Sequence, residues 1–290
     1  MNISIVLRTK NEGKFLETTL NLIRKQVYDS VPEIIIVDSG SNDDTLAIAR
    51  DHADLQLIQI SSDDFSYGKS LNTGIRRASG DVVVALSAHA FPCDELWLQK
   101  LLKHFNDSTV AGVYGKQLPF EDAWPCVKRD YIEFYGNEFR IQTDPNNQLD
   151  HRFSNAAAAI RKRSWQQQPF NEKLSYCEDW EWARAMLKLG LKIVYDPSAA
   201  VFHSHNESFR DIYRRCYKEA LAQRSLYSHE SDTILDWLRS WKKSVVADMA
   251  FIRKRGENKR WLLWSIVYRF YWSFGRSLQP AWNRIPTSAS

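Results

Sequence analysis

Three short apolar runs, each closing on a polar loop, constrain this chain more than anything else in it. Residues 3–7 (ISIVL) run into RTKNEG, residues 33–37 (EIIIV) into DSGSNDD, and residues 82–86 (VVVAL) into SAHAFP. Apolar runs of this length between polar boundaries suit strands buried on both faces of a parallel sheet. Helical periodicity fills the gaps. Residues 15–24 place Phe15, Leu16, Thr19, Leu20 and Ile23 on one side, and 45–51 and 69–78 read as two more helices, with a further strand at 55–60. Strands alternating with helices of this size predict an α/β fold with helical crossovers. Ligands of such sheets bind beyond the carboxyl ends of the strands, so all three polar loops are expected to face one crevice.

Composition narrows the class. With 44% hydrophobic and 26% charged residues the 290-residue chain is globular and can bury a full core. The four cysteines, Cys93, Cys126, Cys177 and Cys216, are scattered without a CxxC pair, as in a reduced cytosolic protein. The start, MNISIVLRTKNE, lacks the layout of a signal peptide, and no apolar run reaches spanning length. Neither GxGxxG nor GxxxxGK[ST] occurs, which removes the dinucleotide and P-loop readings.

The loops carry candidate chemistry. Asp38 closes an apolar strand, where a carboxylate can accept hydrogen bonds from a base or ribose or can cap its own turn. Lys69 and Arg76 lie on the third helix and suit a diphosphate or plain solvent. Further on, SYCEDWEWARAMLKLG reads as a helix opened by Glu178-Asp179 and stopped at Gly190. Carboxylates in a first turn are favoured by the helix dipole, which predicts an ionised general base or a simple cap.

The residues quoted so far, in their order, resemble the family 2 glycosyltransferases of the GT-A fold. The matching pieces are IVLRTKNE, IIIVDSGSNDDT, FSYGKSLNTGIRRASGDVVVALSAHAFP, FSNAAAAIRKRSW, SYCEDWEWARAMLKLG and VFHSHN, spread over residues 3–203. The resemblance implies a Rossmann-like mixed sheet with flanking helices. It also implies inverting transfer of a sugar from a nucleotide-diphosphate donor to the hydroxyl of a glycan or lipid-linked acceptor, in surface polysaccharide synthesis. By position, Thr9, Asn11 and Glu12 match the loop that cradles the nucleotide, Asp38 with Ser39 and Gly40 the turn that reads the base, and Asn72 and Gly74 the border of ribose and diphosphate. Asp179 matches the general base, with Glu178 beside it.

Ser87-Ala88-His89 stands where the family has Asp-x-Asp. That motif holds Mg²⁺ or Mn²⁺ against the diphosphate through hard carboxylate oxygens. Here His89 is the expected ligand, with His203 as a second, which favours Mn²⁺ over Mg²⁺. Metal-free catalysis, in which His89, Lys69 or Arg76 offsets the leaving charge, is the competing expectation. His205 suits solvent as well as a site. A non-catalytic sugar-nucleotide or glycan-binding module that has lost its Asp-x-Asp is the alternative from another class.

After Asn206 the pattern changes to helices over 209–227, 235–253 and 259–274. From Trp237 to Arg284 eleven Lys/Arg stand against two acidic residues, interleaved with Trp, Phe and Tyr. The expected organisation is therefore a catalytic domain over 1–206 and a helical extension over 207–290. That extension suits the anionic inner face of a cell membrane, a cap on the catalytic domain, or an oligomer interface. Nucleic acid is not an expected partner, since no nucleic-acid fold motif accompanies the basic residues.

Overall fold

The computed structural model describes residues 1–227 and 233–277. Arg284 and the rest of the expected extension beyond Ser277 lie outside the described residues. The first half runs β1 (Ile3–Thr9), α1 (Gly13–Arg24), β2 (Glu33–Asp38), α2 (Thr45–Asp51), β3 (Leu55–Gln59), α3 (Tyr67–Arg77), β4 (Val82–Ser87), β5 (Phe91–Pro92), α4 (Trp97–Leu102) and β6 (Val110–Leu118). The second half runs α5 (Pro125–Tyr135), β7 (Arg140–Gln142), β8 (Ala157–Arg161), α6 (Lys162–Gln167), α7 (Glu178–Lys188), β9 (Lys192–Phe202), α8 (Phe209–Tyr227), α9 (Ile234–Lys254) and α10 (Arg260–Ser277). Contacts divide the chain into two compact units. One comprises residues 1–120, 134–174 and 178–204, the other residues 121–133, 175–177 and the chain from His205 on.

The first unit is built on one sheet in the order β3-β2-β1-β4-β8-β6-β9-β5, with β7 on β9. β1, β2, β3 and β4 pair in parallel, and β8 inserts antiparallel between β4 and β6. Register brings Thr9 level with Asp38, and Arg8 level with Ser87, so the three loop-bearing strands end together. The alternation of side chains along β1 sorts its residues between two faces. Ile3, Ile5 and Leu7 join a core with Leu16, Leu20 and Ile23 of α1 and Trp97, Leu98 and Leu101 of α4. Ser4, Val6 and Arg8 take the opposite face, which α3 covers. Gly74 lets α3 sit close there, because a Cβ on it would stand 2.4 Å from Val6 Cγ1.

Three segments depart from the sequence expectation. The small-residue run over 155–160 suits close approach to a ligand or tight packing, and its greater part lies in β8 (Ala157–Arg161), whose alanines are fully buried between two strands. The apolar spacing of Leu96, Leu98, Leu101, Leu102 and Phe105 reads as one helix over 94–105, but α4 is shorter and passes into a 3₁₀ turn over 103–106. The long strand β9 was not expected, since its sequence KIVYDPSAAVF contains a proline. Its pairing with β6 shifts register between Gly115 and Gln117, and that irregularity accommodates Pro197.

The second unit contains α8, α9 and α10. Its core gathers Ala123, Cys126, Val127, Ile212, Cys216 and Tyr268, with Trp124, Trp264 and Trp272 packed on it. Arg269, which interrupts the most apolar stretch of the sequence, is fully buried in this unit. It donates to Asp248 at 2.7 and 2.8 Å and to Asp130 at 2.6 and 2.9 Å. Arg129 Nε stands 3.2 Å from Asp248. Among the described residues no helix is long and apolar enough to cross a membrane.

Candidate active site

The first two polar loops are laced into one floor. Asn11, at a left-handed φ of 57° that asparagine tolerates, receives the Asn42 N–H on Oδ1 at 2.8 Å, and its own N–H donates to Ser41 Oγ at 2.8 Å. The N–H groups of Glu12 and Gly13 donate to Thr45 Oγ1 (2.7 Å) and Asp43 Oδ2 (3.0 Å). Asp38 organises this floor from beneath. It is completely buried, and its carboxylate accepts from Thr9 Oγ1 and from the N–H groups of Gly40 and Ser41, each at 3.0 Å, and from Ser41 Oγ. Of its two sequence readings, the geometry shows the turn cap. Ser39 is buried as well, with Oγ and N–H both donating to Thr9 O. Gly40, at φ 85°, leaves the turn exposed to the crevice.

Two expected donor-binding residues are used elsewhere. Asn72 is buried, and its amide is consumed by the segment around Phe170. Nδ2 donates to Phe170 O and to Glu172, and Oδ1 accepts from Trp165 Nε1 and the Phe170 N–H. It anchors a loop and does not line the crevice. Arg76 lies at the wrong end of α3. The helix starts near Arg8, whose guanidinium lies over the Tyr67 ring, and leads to Gly80, whose N–H donates to Ser4 Oγ at the start of β1. Seven residues at 1.5 Å of rise put Arg76 about 10 Å down the helix from Lys69, toward the amino ends of the strands. There it meets Glu172 at 3.4 Å. Lys69 sits at the crevice end and pairs with Asp64 at 3.0 Å.

After β4 the chain turns at Ser87-Ala88-His89. Ser87 is half-buried, and its N–H donates to Ala156 O. His89 Nδ1 stands 2.8 Å from Glu12 Oε1, and His203 Nδ1 stands 2.8 Å from Gln117 Oε1. Gln117 Nε2 donates to Ser154 Oγ, and its Oε1 lies toward the imidazole. Opposite the Glu12 carboxylate and the Gln117 amide oxygen, each Nδ1 takes the donor role. The two Nε2 atoms then face each other at 3.1 Å, on rings inclined by 14°. Lone pairs at that separation repel unless a cation, a metal ion or a shared proton, lies against both. Ligand imidazoles characteristically donate the far N–H to a carboxylate or carbonyl, as here. The pair fits an ion that accepts imidazole, and no carboxylate stands at position 87 or 89 to favour Mg²⁺. His205, two residues beyond His203, is exposed.

The acidic pair opens α7 as expected. Cys177, at a left-handed φ of 62°, turns the chain into it. Glu178 Oε1 accepts from Asn155 Nδ2 at 3.3 Å, and Asp179 Oδ2 from the Asn155 N–H at 3.4 Å. The electrostatics oppose the expectation of a carboxylate kept ionised by its helix. Burial raises the Asp179 pKa well above the ordinary range, and the neighbouring Glu178 raises it further. The Trp180 and Asn155 N–H groups and the charge of Arg8 pull the other way without reversing it. A carboxylate so placed is a stronger base than one in water, which is what taking a proton from a hydroxyl requires. Arg8, Asn155 and Gln117 were not among the residues expected from sequence. Arg8 and Asn155 lie within the matching pieces IVLRTKNE and FSNAAAAIRKRSW, which were a signal for both, whereas nothing local marks Gln117.

The mixed sheet, the interlocked polar loops beyond its parallel strands and the helix-borne carboxylate are those of a GT-A glycosyltransferase, with an imidazole pair in place of Asp-x-Asp. The comparisons agree. Residues 4–167 match the family described as Glycosyl transferase family 2, and the chain belongs to that family. It is 29% identical over 224 residues to the O-antigen chain rhamnosyltransferase RfbN of Salmonella typhimurium (75% of this chain, 71% of the relative). It is 34% identical over 193 residues to the O-antigen chain rhamnosyltransferase WbaN of Salmonella anatum (64% and 60%). In fold it is similar to the mannosyltransferase PcManGT of Pyrobaculum calidifontis, solved with GDP-Man and Mn²⁺ (TM-score 0.65, 17% identity, 95% and 86% covered). It is also similar to S. aureus TarS residues 1–349 with UDP (TM-score 0.57, 15% identity, 95% and 90% covered). The chain is thus an enzyme that transfers sugar from a nucleotide-sugar donor, and the non-catalytic alternative finds no support.

Proposed function

We propose that this enzyme is an inverting transferase that uses Asp179 as its general base and extends a bacterial surface polysaccharide. The observation that carries the reading is the placement of Asp179, in the first turn of α7 beside Glu178, with both carboxylates held by Asn155. An acceptor hydroxyl gives its proton to Asp179 while its oxygen attacks the anomeric carbon, and the nucleoside diphosphate departs from the opposite face. Glu178 and Asn155 hold the base in place. The exposed turn at Gly40 and the Asn11–Glu12 loop supply the surface for the nucleotide. The names of the two Salmonella relatives support rhamnose as the sugar and an O-antigen chain as the acceptor. His89 and His203 would hold a divalent ion, which would supply positive charge for the diphosphate. The decisive experiment incubates the protein with a panel of nucleotide-diphosphate sugars and a glycan acceptor, and reads the product's anomeric configuration by NMR. Inverted product formed by wild type and lost in Asp179→Asn is the expected result. Retained configuration, or full turnover in Asp179→Asn, would reject the mechanism.

The second unit suits the cytoplasmic face of an anionic membrane. Its α10 exposes Leu263, Val267 and Phe270 in a stripe at helical spacing, and α9 exposes Leu235, Leu238 and Val246 among Arg239, Lys242 and Lys243. Apolar side chains framed by cations are the composition of an interfacial helix. Co-sedimentation with vesicles containing phosphatidylglycerol tests the contact. A salt-insensitive dimer that ignores vesicles would favour the oligomer interface instead.

A further inference from the structure

Arg8 is the one strongly basic residue at the end of β1, and the mechanism above does not use it. It is half-buried on the strand face that α3 covers, level with Ser87 of the turn that bears His89. Its guanidinium carbon lies 5.0 Å from the centroid of the Tyr67 ring, in the first turn of α3. Its Nη1 is buried with no hydrogen-bond partner among the described residues. Leaving a charged donor buried and unpaired is costly, and folded chains retain such groups where something else completes them. A guanidinium presents a fork of donors that matches phosphate oxygens, and stacking on an aromatic ring holds that fork in orientation.

The two basic residues expected from the sequence are committed. Lys69 pairs with Asp64 at 3.0 Å, and Arg76 points to the far end of the sheet beside Glu172. The turn after β4 offers imidazoles and no carboxylate. We infer that Arg8 is the residue that receives the donor's diphosphate and supports its departure. This inference rests on the proposed transfer mechanism. In that step the bond between the acceptor oxygen and the anomeric carbon forms as the bond to the diphosphate oxygen breaks. The bonding pair leaves on the diphosphate, the acceptor proton goes to Asp179, and Arg8 stays protonated throughout, donating hydrogen bonds. Its position near the base adds a second effect, because its positive charge favours the ionised form of Asp179.

The test is titration calorimetry of wild type, Arg8→Lys and Arg8→Met with UDP, GDP and dTDP, together with pH–rate profiles. The diphosphate that wild type binds should bind Arg8→Met at least tenfold more weakly, with Arg8→Lys in between, because lysine keeps the charge and loses the fork. The corresponding uncharged nucleoside should lose nothing. The acid limb of the rate profile should move to higher pH in Arg8→Met and much less in Arg8→Lys, which a purely structural role would not produce. Equal diphosphate affinity in Arg8→Met, whatever its acid limb does, would overturn the inference while leaving the transfer mechanism standing. If Arg8→Met fails to fold, Arg8→Lys decides: diphosphate affinity within twofold of wild type would show that the fork binds no phosphate. Wild type that binds none of the three diphosphates and transfers no sugar would instead reject the mechanism itself.

Discussion

Each of the two units buries charge, and they do so in opposite ways. In the helical unit Arg269 is completely enclosed, yet four donor contacts with Asp248 and Asp130 satisfy it. Those partners hold its pKa above the ordinary arginine range. In the sheet unit Asp179 is half-buried beside the buried acid Glu178, and its pKa is raised, which favours the uncharged form. Arg8, nearby in that unit, keeps a buried nitrogen without a partner among the described residues. A fully compensated buried charge acts as scaffold, because altering its protonation costs more than it gains. An undercompensated one is held in a state that substrate can relieve, which is why perturbed groups collect at functional sites.

The sharpest break in that comparison is at Asp179. Asp179→Asn should cut turnover by roughly 10²–10⁴-fold, the usual worth of a general base, with donor binding nearly unchanged in calorimetry. The same variant should melt higher than wild type near neutral pH. The folded state holds this proton more tightly than the unfolded state does, so stability falls as pH rises from the usual carboxylate range through the raised pKa. Activity runs the other way, since the base works ionised. Turnover should fall about tenfold per pH unit below that pKa.

Arg269 should show the converse. Arg269→Met leaves the buried Asp248 and the half-buried Asp130 with too little positive charge and should cost about 3–5 kcal/mol in urea unfolding. A helical unit as stable as wild type in this variant would end the claim that compensation marks scaffold.

The imidazole pair lies between these cases, since its compensation depends on a cation. Gln117→Ala removes the group that orients His203 and should weaken Mn²⁺ binding by roughly 10–100-fold. His89→Ala should remove the response of activity to chelator. Wild type that is fully active in EDTA would leave a shared proton as the cation between the rings. The smallest effect is expected at the exposed stripe. Lys242→Gln should weaken binding to anionic vesicles by about 1 kcal/mol, and added salt should weaken it further.

Some of this was legible in the order of residues alone. Buried parallel strands need continuous apolar runs, helices need a 3.6-residue repeat, and ligand loops follow strand ends. Residues 3–86 therefore announced their strands and helices without help, whereas the short strand β5 lies in what reads as the loop SAHAFP. The acidic pair at the start of α7 was equally visible, because a helix N-terminus is a local signal. Its protonation tendency was not. The dipole argument predicts an ionised carboxylate, and only the folded chain shows that burial and Glu178 outweigh the dipole.

The same limit explains the other differences. Asn72 and Asp38 look like ligand groups in a one-dimensional reading, but their polar atoms are taken by partners that the fold supplies. For Asn72 those partners are nearly a hundred residues away. Arg76 shares a helix with Lys69, and only the direction of α3 across the sheet shows that it ends far from the crevice. Local pattern determined which segments become strands and helices, because backbone geometry and burial repeat over a few residues. Which polar groups stay available for chemistry was decided by tertiary structure. Hydrogen-bond satisfaction and desolvation depend on neighbours that sequence distance does not reveal.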